Sequence, residues 1–199
     1  MRQKIDRRIR RTNRSLTAAL IELTSQRPYA SIQVRDITDQ ADVGYATFYR
    51  HYDSKDDLML SVFKNITEEL ENAALDQGSD YFEGEGILLF GHVEKYKGLY
   101  QSIIHSQEFI AKLKRFLSKR IERQIADHVH AQKKNAFPAD LAAHHMVVAV
   151  IGLIEWWLDN GNSLTTSEMA RIYKRLVVQA TWIALDGSNN LSSAFDHIR

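Results

Sequence analysis

At 199 residues the chain has room for one domain or two small ones, and a composition of 44% apolar and 26% charged residues excludes a chain that is disordered throughout. Nine glycines and two prolines are about half the usual share of these turn-forming residues, which excludes a hairpin-rich β-protein and points to an all-α fold. The absence of cysteine excludes disulfides, a thiol nucleophile and thiolate-held metal, while a formal net charge of +1 conceals a split: residues 1–55 carry eleven basic against six acidic side chains, or +5, and the remainder carries −4.

Seven of those eleven cations, Arg2, Lys4, Arg7, Arg8, Arg10, Arg11 and Arg14, lie in the first fourteen residues, the pattern of an arm that neutralises phosphates or of a solvated helix face. No apolar run follows this basic start, so a secretory signal is not expected and the chain is expected in the cytoplasm. Leu16, Ala19, Leu20 and Leu23 recur at helical spacing and predict a helix from about Ile9 to Ser25, ended by Arg27-Pro28. Val34, Ile37 and Ala41 mark a helix of about two turns, Asp42-Val43-Gly44 interrupts it, and Tyr45 to Tyr52 resumes. Two short helices across a three-residue break read as helix-turn-helix.

Ser54 and Asp57 form a near-relative of the capping box at the start of a long helix carrying Leu58, Val62, Ile66 and Leu70. The polar stretch Asp76 to Glu85 is the expected domain boundary. Beyond it Ile87 to Ile104 is apolar-rich, with Gly91 and Gly98 inside that weigh against a single straight helix, and Phe109 to Ile125 supports one or two helices with a break near Ser118. Pro138 suits a first helical turn, and the helix to Asp159 is apolar nearly all round, which predicts burial on most sides. Its run without acidic or basic residues, Leu141 to Ile154, is 14 residues, short of a membrane span. Thr165 with Glu168 is a capping box, opening a final helix through Met169, Tyr173, Leu176, Val177 and Ala180 to near Gly187.

The last two helices are more apolar than a small bundle needs, as a helical dimer interface or the monomer's own core requires. His128, His130, His144 and His145 lack the spacing that aims two imidazoles at one metal, and no phosphate cradle or nucleophile elbow is present, so neither cofactor nor enzymatic activity is expected. Trp156, Trp157 and Trp182 read as packing, or as part of an effector pocket.

Residues 31–55, SIQVRDITDQADVGYATFYRHYDSK, resemble the DNA-binding module of the TetR family of transcriptional regulators, matching its pattern at Val34, Arg35, Asp36, Ile37, Ala41, Val43, Thr47, Phe48, Tyr49, His51, Ser54, Lys55 and, just beyond, Leu58. Tyr96, Leu99 and Tyr100, with Ile151 to Trp157, are similar to one carboxy-terminal subfamily. The resemblance implies a helix-turn-helix domain over 1–55, a connecting helix over 56–75 and a dimerisation and effector domain over 76–199. It also implies a homodimer on a palindromic double-stranded operator with half-sites about one helical turn apart, and a small effector that respaces the two heads. Most relatives repress; the subfamily leaves room for an activator or for a helical sensor acting through protein partners.

A short helix can put its first turn into the major groove, which places Gly44, Tyr45, Ala46 and Thr47 at base edges and phosphates. Arg35 is the candidate for a bidentate guanine contact, or else pairs with Asp39; Tyr49, His51 and Lys55 are candidate backbone clamps, with packing or capping as the alternative for Tyr49 and His51. Phe48 and Tyr52 read as core. The sequence departs from the family at Asp42, in place of a turn glycine, at Gly44, in place of a serine cap, and at Gln33, in place of a serine or threonine cap, and these changes bear on base preference.

Overall fold

The computed structural model describes residues 2–75, 81–128, 137–161 and 163–186. Among them the elements are helical: α1 (Arg2–Gln26), a 3₁₀ turn (Tyr29–Ser31), α2 (Val34–Ala41), α3 (Tyr45–Phe48), α4 (Lys55–Leu75), α5 (Tyr81–Lys95), α6 (Lys97–Ile104), α7 (Gln107–His128) and α8 (Ala139–Asp159). After α8 come α9 (Thr166–Tyr173), a π-helical segment (Lys174–Gln179) and α10 (Ala180–Asp186).

Contacts divide the chain into two compact units, one of Met1–Glu69 with Tyr96–Ile110, the other of Leu70–Lys95 with Ala111–Arg199. The division is not linear in sequence: α6 and the start of α7 join the amino-terminal unit. Much of the boundary stretch 76–85 expected from polarity, together with Gly187 and His130, lies outside the described residues.

In the amino-terminal unit the stripe of α1 predicted from periodicity is buried: Leu16, Ala19, Leu20 and Leu23 pack with Ile37 of α2, Phe48 of α3 and Leu58 and Met59 of α4 in one apolar core. Tyr29 and Phe63 meet Phe109 at ring-centroid distances of 5.1 and 6.1 Å, which draws the start of α7 into this core. Gly98 opens α6 against α1; a Cβ there would stand 3.2 Å from the Ser25 Cα, so a larger residue would push the two helices apart by a few tenths of an ångström. Ser102 Oγ of α6 donates to the Arg27 carbonyl at 3.1 Å.

The carboxy-terminal unit is organised by Phe90, Trp157 and Tyr173, whose rings meet edge-on at 5.5 and 6.3 Å. Trp157 is fully buried, and its indole N–H donates to the Leu164 carbonyl at 2.8 Å. The Thr165 and Glu168 box forms as expected: the Glu168 amide donates to Thr165 Oγ1 at 3.2 Å and the Thr165 amide donates to Glu168 Oε2 at 2.8 Å. Arg120 grips the Glu71 carboxylate with two nitrogens, Nε at 2.9 Å, and Gln124 adds a third donor at 2.9 Å.

Glu85 lies near Glu71 and accepts a long 3.5 Å hydrogen bond from Tyr173. Burial first, then the Glu71 charge, push its carboxyl up to about 7. A carboxyl held above its unfolded value takes up protons on folding, so stability is highest at low pH and falls as pH rises from the ordinary glutamate range through about 7. Glu85→Gln is therefore expected to flatten the pH dependence of thermal melting between pH 5 and 8 and to raise the melting temperature at pH 8. An unchanged slope would show that Glu85 is ionised without cost.

Several boundaries differ from expectation. Helix α1 starts at Arg2 and not Ile9, because Arg, Gln and Lys propagate a helix without an apolar stripe. Helix α7 passes through Ser118 unbroken, since one serine among strong helix formers costs only a few tenths of a kcal/mol. The break in the 87–104 segment falls at Tyr96 (φ −112°, ψ 36°), where the chain redirects α6 onto α1, and not at either glycine. Pro138 is the N-cap of α8 and not its first turn. Helix α8 is long and apolar enough by length and composition to cross a bilayer, with mean hydropathy 1.6 over its most apolar stretch. It is not covered on most sides: Met146, Val147, Ile151, Ile154, Trp157 and Leu158 are buried, whereas Leu141, Val148 and Trp156 are 52%, 38% and 48% exposed.

Candidate nucleic-acid interface

The turn between α2 and α3 is held by local chemistry. Asp42 takes the left-handed conformation (φ 51°, ψ 48°) that the family gives to glycine, at a cost of about 1 kcal/mol that an aspartate meets more easily than most residues. The Val43 amide then donates to the Thr38 carbonyl at 3.0 Å, closing the turn and aiming α3 away from α2. Gly44 is the N-cap of α3 and offers no side-chain acceptor. The helix is a single turn, Tyr45–Phe48, followed by hydrogen-bonded turns through Tyr52, shorter than the two turns expected from periodicity.

This turn and the start of α2 enclose a polar concavity of about 650 Å³ lined by Gln33, Arg35, Thr38, Asp39, Gly44, Tyr45 and Tyr49, with Val34 and Val43. Arg35 is exposed, and its guanidinium has no partner among the described residues, so the pairing with Asp39 does not form. It is a charge left for an external acceptor. Gln33 is placed by a relay: its amide donates to Asp36 Oδ2 at 2.7 Å, and that carboxylate is paired with Arg27 at 2.8 Å. The Gln33 amide, then the Arg27 guanidinium, hold the Asp36 carboxyl below its usual range.

Tyr45 and Tyr49 stand side by side at 54% and 46% exposure, rings edge-on at 5.1 Å and hydroxyls 3.3 Å apart. That hydrogen bond raises the Tyr49 hydroxyl above its ordinary value. Tyr49 also rests on Phe48, which is fully buried, so its ring packs at one edge and is open at the other. Ala46 is exposed on the same turn. Thr47 is half-buried, and its hydroxyl accepts from Arg50 Nη2 at 2.6 Å. Arg50, an exposed cation three residues along, escaped the sequence reading; its spacing from Thr47 was the available signal. His51 sits half-buried beside Tyr52, outside the concavity.

Lys55 stands apart from this group. Its Nζ donates to the carbonyls of Tyr29 (2.9 Å), Ala30 (3.3 Å) and Ile32 (2.7 Å) and lies 4.5 Å over the Tyr29 ring. Burial lowers its ammonium from the usual range, and Asp56 partly restores it. Beside it the Tyr29 hydroxyl donates to the buried Asp56 carboxylate at 2.5 Å, and burial, then Asp56, raise that hydroxyl well above its ordinary value. The ammonium's donors are thus engaged inside the unit. Its visible work is to fasten the 3₁₀ turn to α4, and so to fix where α2 begins.

Two family descriptions match the chain: residues 16–62 match that of bacterial regulatory proteins of the tetR family, and residues 86–179 match a transcriptional regulator C-terminal region of the same group, together 141 of 199 residues. The chain belongs to the TetR family. Among family relatives, it is similar to the uncharacterized HTH-type transcriptional regulator YxbF of Bacillus subtilis, at 27% identity over 184 residues, covering 85% of this chain and 45% of that protein. It is also similar to DhaS of Lactococcus lactis, described as an activator of the dhaKLM operon, at 29% identity over 94 residues, covering 46% and 48% of the two chains. The chain thus spans less than half the length of these curated relatives. A TetR regulator of Streptococcus agalactiae shares the fold, with a TM-score of 0.61 at 22% identity over 89% of this chain and 99% of that one. Family and fold are those of transcriptional regulators, not enzymes. Among the described residues no group of three or more metal-binding side chains gathers.

Proposed function

We propose that this TetR-family chain is a cytoplasmic DNA-binding regulator that occupies a palindromic operator as a homodimer, one α3 turn in each major groove. The observation that carries the reading is the unpaired Arg35 guanidinium on the concave face that Gly44, Tyr45 and Tyr49 share. Arg35 reads a guanine edge, and Gln33 and Tyr45 flank it. The small Gly44 and Ala46 let the backbone approach, while Thr47 with Arg50, Tyr49 and His51 hold phosphates. Lys55 enters as the residue that fastens the turn, not as a phosphate ligand. Arg35→Ala is expected to weaken operator binding by about 1–3 kcal/mol per half-site and to leave random duplex unchanged, measured by titration at fixed salt. Equal losses on both duplexes would overturn the base-reading role.

The pairing surface is supported by the exposed apolar face of α8, Leu141, Val148 and Trp156 with Gly152 among them, and by Leu176, 64% exposed on the π-helical segment. A single face of this kind, uncovered in one copy, is covered by its twin in a twofold dimer. At its amino-terminal end α8 and α10 border an apolar groove of about 290 Å³ lined by Leu141, Ala142, His145, Ala180, Thr181 and Ala184, with Phe137, and its size and apolar lining suit a small effector. Leu141 belongs to both groove and face, so a ligand there acts on pairing directly.

Bound across a promoter, such a dimer represses by exclusion. The likeness to DhaS favours activation as a second reading. Deleting the coding region and following a reporter behind the bound promoter separates them: rising expression supports repression, falling expression activation.

A further inference from the structure

We propose that the groove between α8 and α10 takes a compact, uncharged, apolar molecule carrying one hydroxyl, and that Thr181 is the residue that recognises that hydroxyl. The inference rests on the reading of this groove as the effector site and names the chemistry of what it holds. The groove offers about 290 Å³, near the lower end of small-molecule sites and about twice the ~150 Å³ cavity that takes benzene, so it suits a single ring with a short substituent. Leu141, Ala142, Ala180 and Ala184 form its walls with Phe137, and none of its described lining residues is acidic, lysine or arginine. A charged group there would leave water without a strong counter-charge.

Thr181 supplies the polar feature. It is 5% exposed, and its Oγ1 is shielded from water and has no hydrogen-bond partner. Other helical threonines settle their hydroxyls on their own backbone: Thr24, Thr38 and Thr67 donate to the carbonyl three residues back at 2.7–2.9 Å. For Thr181 that carbonyl is Val178's, inside the π-helical segment Lys174–Gln179, and the bond does not form. A buried hydroxyl without a partner costs free energy, and π-helical turns concentrate at functional sites. A helical threonine has two favoured χ1 rotamers, so rotation about Cα–Cβ moves the hydroxyl to a new position at little cost. A ligand hydroxyl on the Thr181 side of the groove draws Oγ1 to itself and satisfies both groups, since each can donate or accept. His145, the other polar side chain in the described lining, is exposed and meets water already.

The test measures, by calorimetry on the full chain, the binding of three probes built on one 4-ethylphenyl frame: 4-ethylphenol, 4-ethyltoluene, in which a methyl replaces the hydroxyl, and 4-ethylbenzoate, which carries a charge. The phenol is expected to bind about tenfold more tightly than the hydrocarbon, the gain of one hydrogen bond, and the benzoate more weakly than either. Thr181→Val, which exchanges hydroxyl for methyl at nearly constant shape, is expected to bind the two uncharged probes alike. Free of ligand, it is expected to melt no lower than the natural chain, because the hydroxyl it loses was unsatisfied. Ala184→Leu, at a half-buried position, fills the groove and is expected to bind none of the three. Equal affinity of phenol and hydrocarbon for the natural chain, a preference that survives Thr181→Val, or a lower melting temperature in that variant overturns the role of Thr181 and leaves the groove as the effector site. Tighter binding of the benzoate overturns the uncharged class and assigns the carboxylate to His145. No binding by any of the three overturns the class alone. Binding that survives Ala184→Leu shows that the site lies elsewhere and removes the groove reading together with this inference.

Discussion

Lys55→Ala is expected to lower the melting temperature of the amino-terminal unit and to weaken binding to every duplex in equal proportion. Three carbonyls, those of Tyr29, Ala30 and Ile32, lose a charged donor, and the Tyr29 ring loses the cation above it. A hydrogen bond from a charged group contributes about 1.5–3 kcal/mol when buried; with Lys55 half-buried, the three together are worth about 2–3 kcal/mol. In a unit of this size that is a fall of roughly 10–20 °C. Lys55→Met separates donors from packing, since it keeps an apolar stem beside Tyr29; it is expected to melt nearly as low as the alanine variant. Calorimetry with a random-duplex titration checks both. Unchanged melting together with lost DNA affinity would return Lys55 to the role of phosphate ligand that sequence alone suggested.

The second large effect is on pairing. Val148→Asp places a carboxylate in the middle of the exposed face of α8 and is expected to convert the protein to a monomer by light scattering, with its helix content preserved. Operator affinity is expected to fall about 100-fold or more, because two linked half-site contacts become independent. Arg35→Ala leaves pairing intact, so the two variants lose operator binding for distinguishable reasons. The natural chain contains no cysteine, which makes Gly152→Cys a clean reporter. If the twofold axis passes near the middle of this face, the variant forms an intersubunit disulfide under oxidation. A Val148→Asp protein that remains a dimer would place the interface elsewhere.

Elements that announce themselves through short-range chemistry were legible in the sequence. The caps Ser54 with Asp57 and Thr165 with Glu168 satisfy orphan amides with side chains three residues away, and both form. The left-handed Asp42 and the stripe of α1 were readable for the same reason, each depending on neighbours in sequence. Features set by distant contacts were not. Leu176 carries the same apolar periodicity as Val177 in the last helix, yet it is exposed while Val178, which that periodicity does not include, is buried. Buried positions there fall at Met169, Tyr173, Val177, Thr181 and Leu185, steps of four that drift by about 40° each on an ideal α-helix. The wider π-helical turn over Lys174–Gln179 takes back that drift and rotates Leu176 outward, a compromise imposed by packing. Lys55 illustrates the same limit at the interface: a lysine in a basic segment reads as a phosphate ligand until three carbonyls from more than twenty residues away are found around it.

The contact of α6 with α1 has a mechanical implication. Ser102 holds the Arg27 carbonyl, Arg27 holds Asp36, and Asp36 holds the Gln33 amide, so three successive bonds of 2.7–3.1 Å join α6 to the residue that begins α2. Gly98, beside Ser25, lets α6 lie close to α1 at the near end of that linkage. The end of α1 is therefore the pivot of the amino-terminal unit: α6 and the start of α2 are fastened to the same residue, Arg27, so a shift of α6 is expected to reach the Arg35 turn through it.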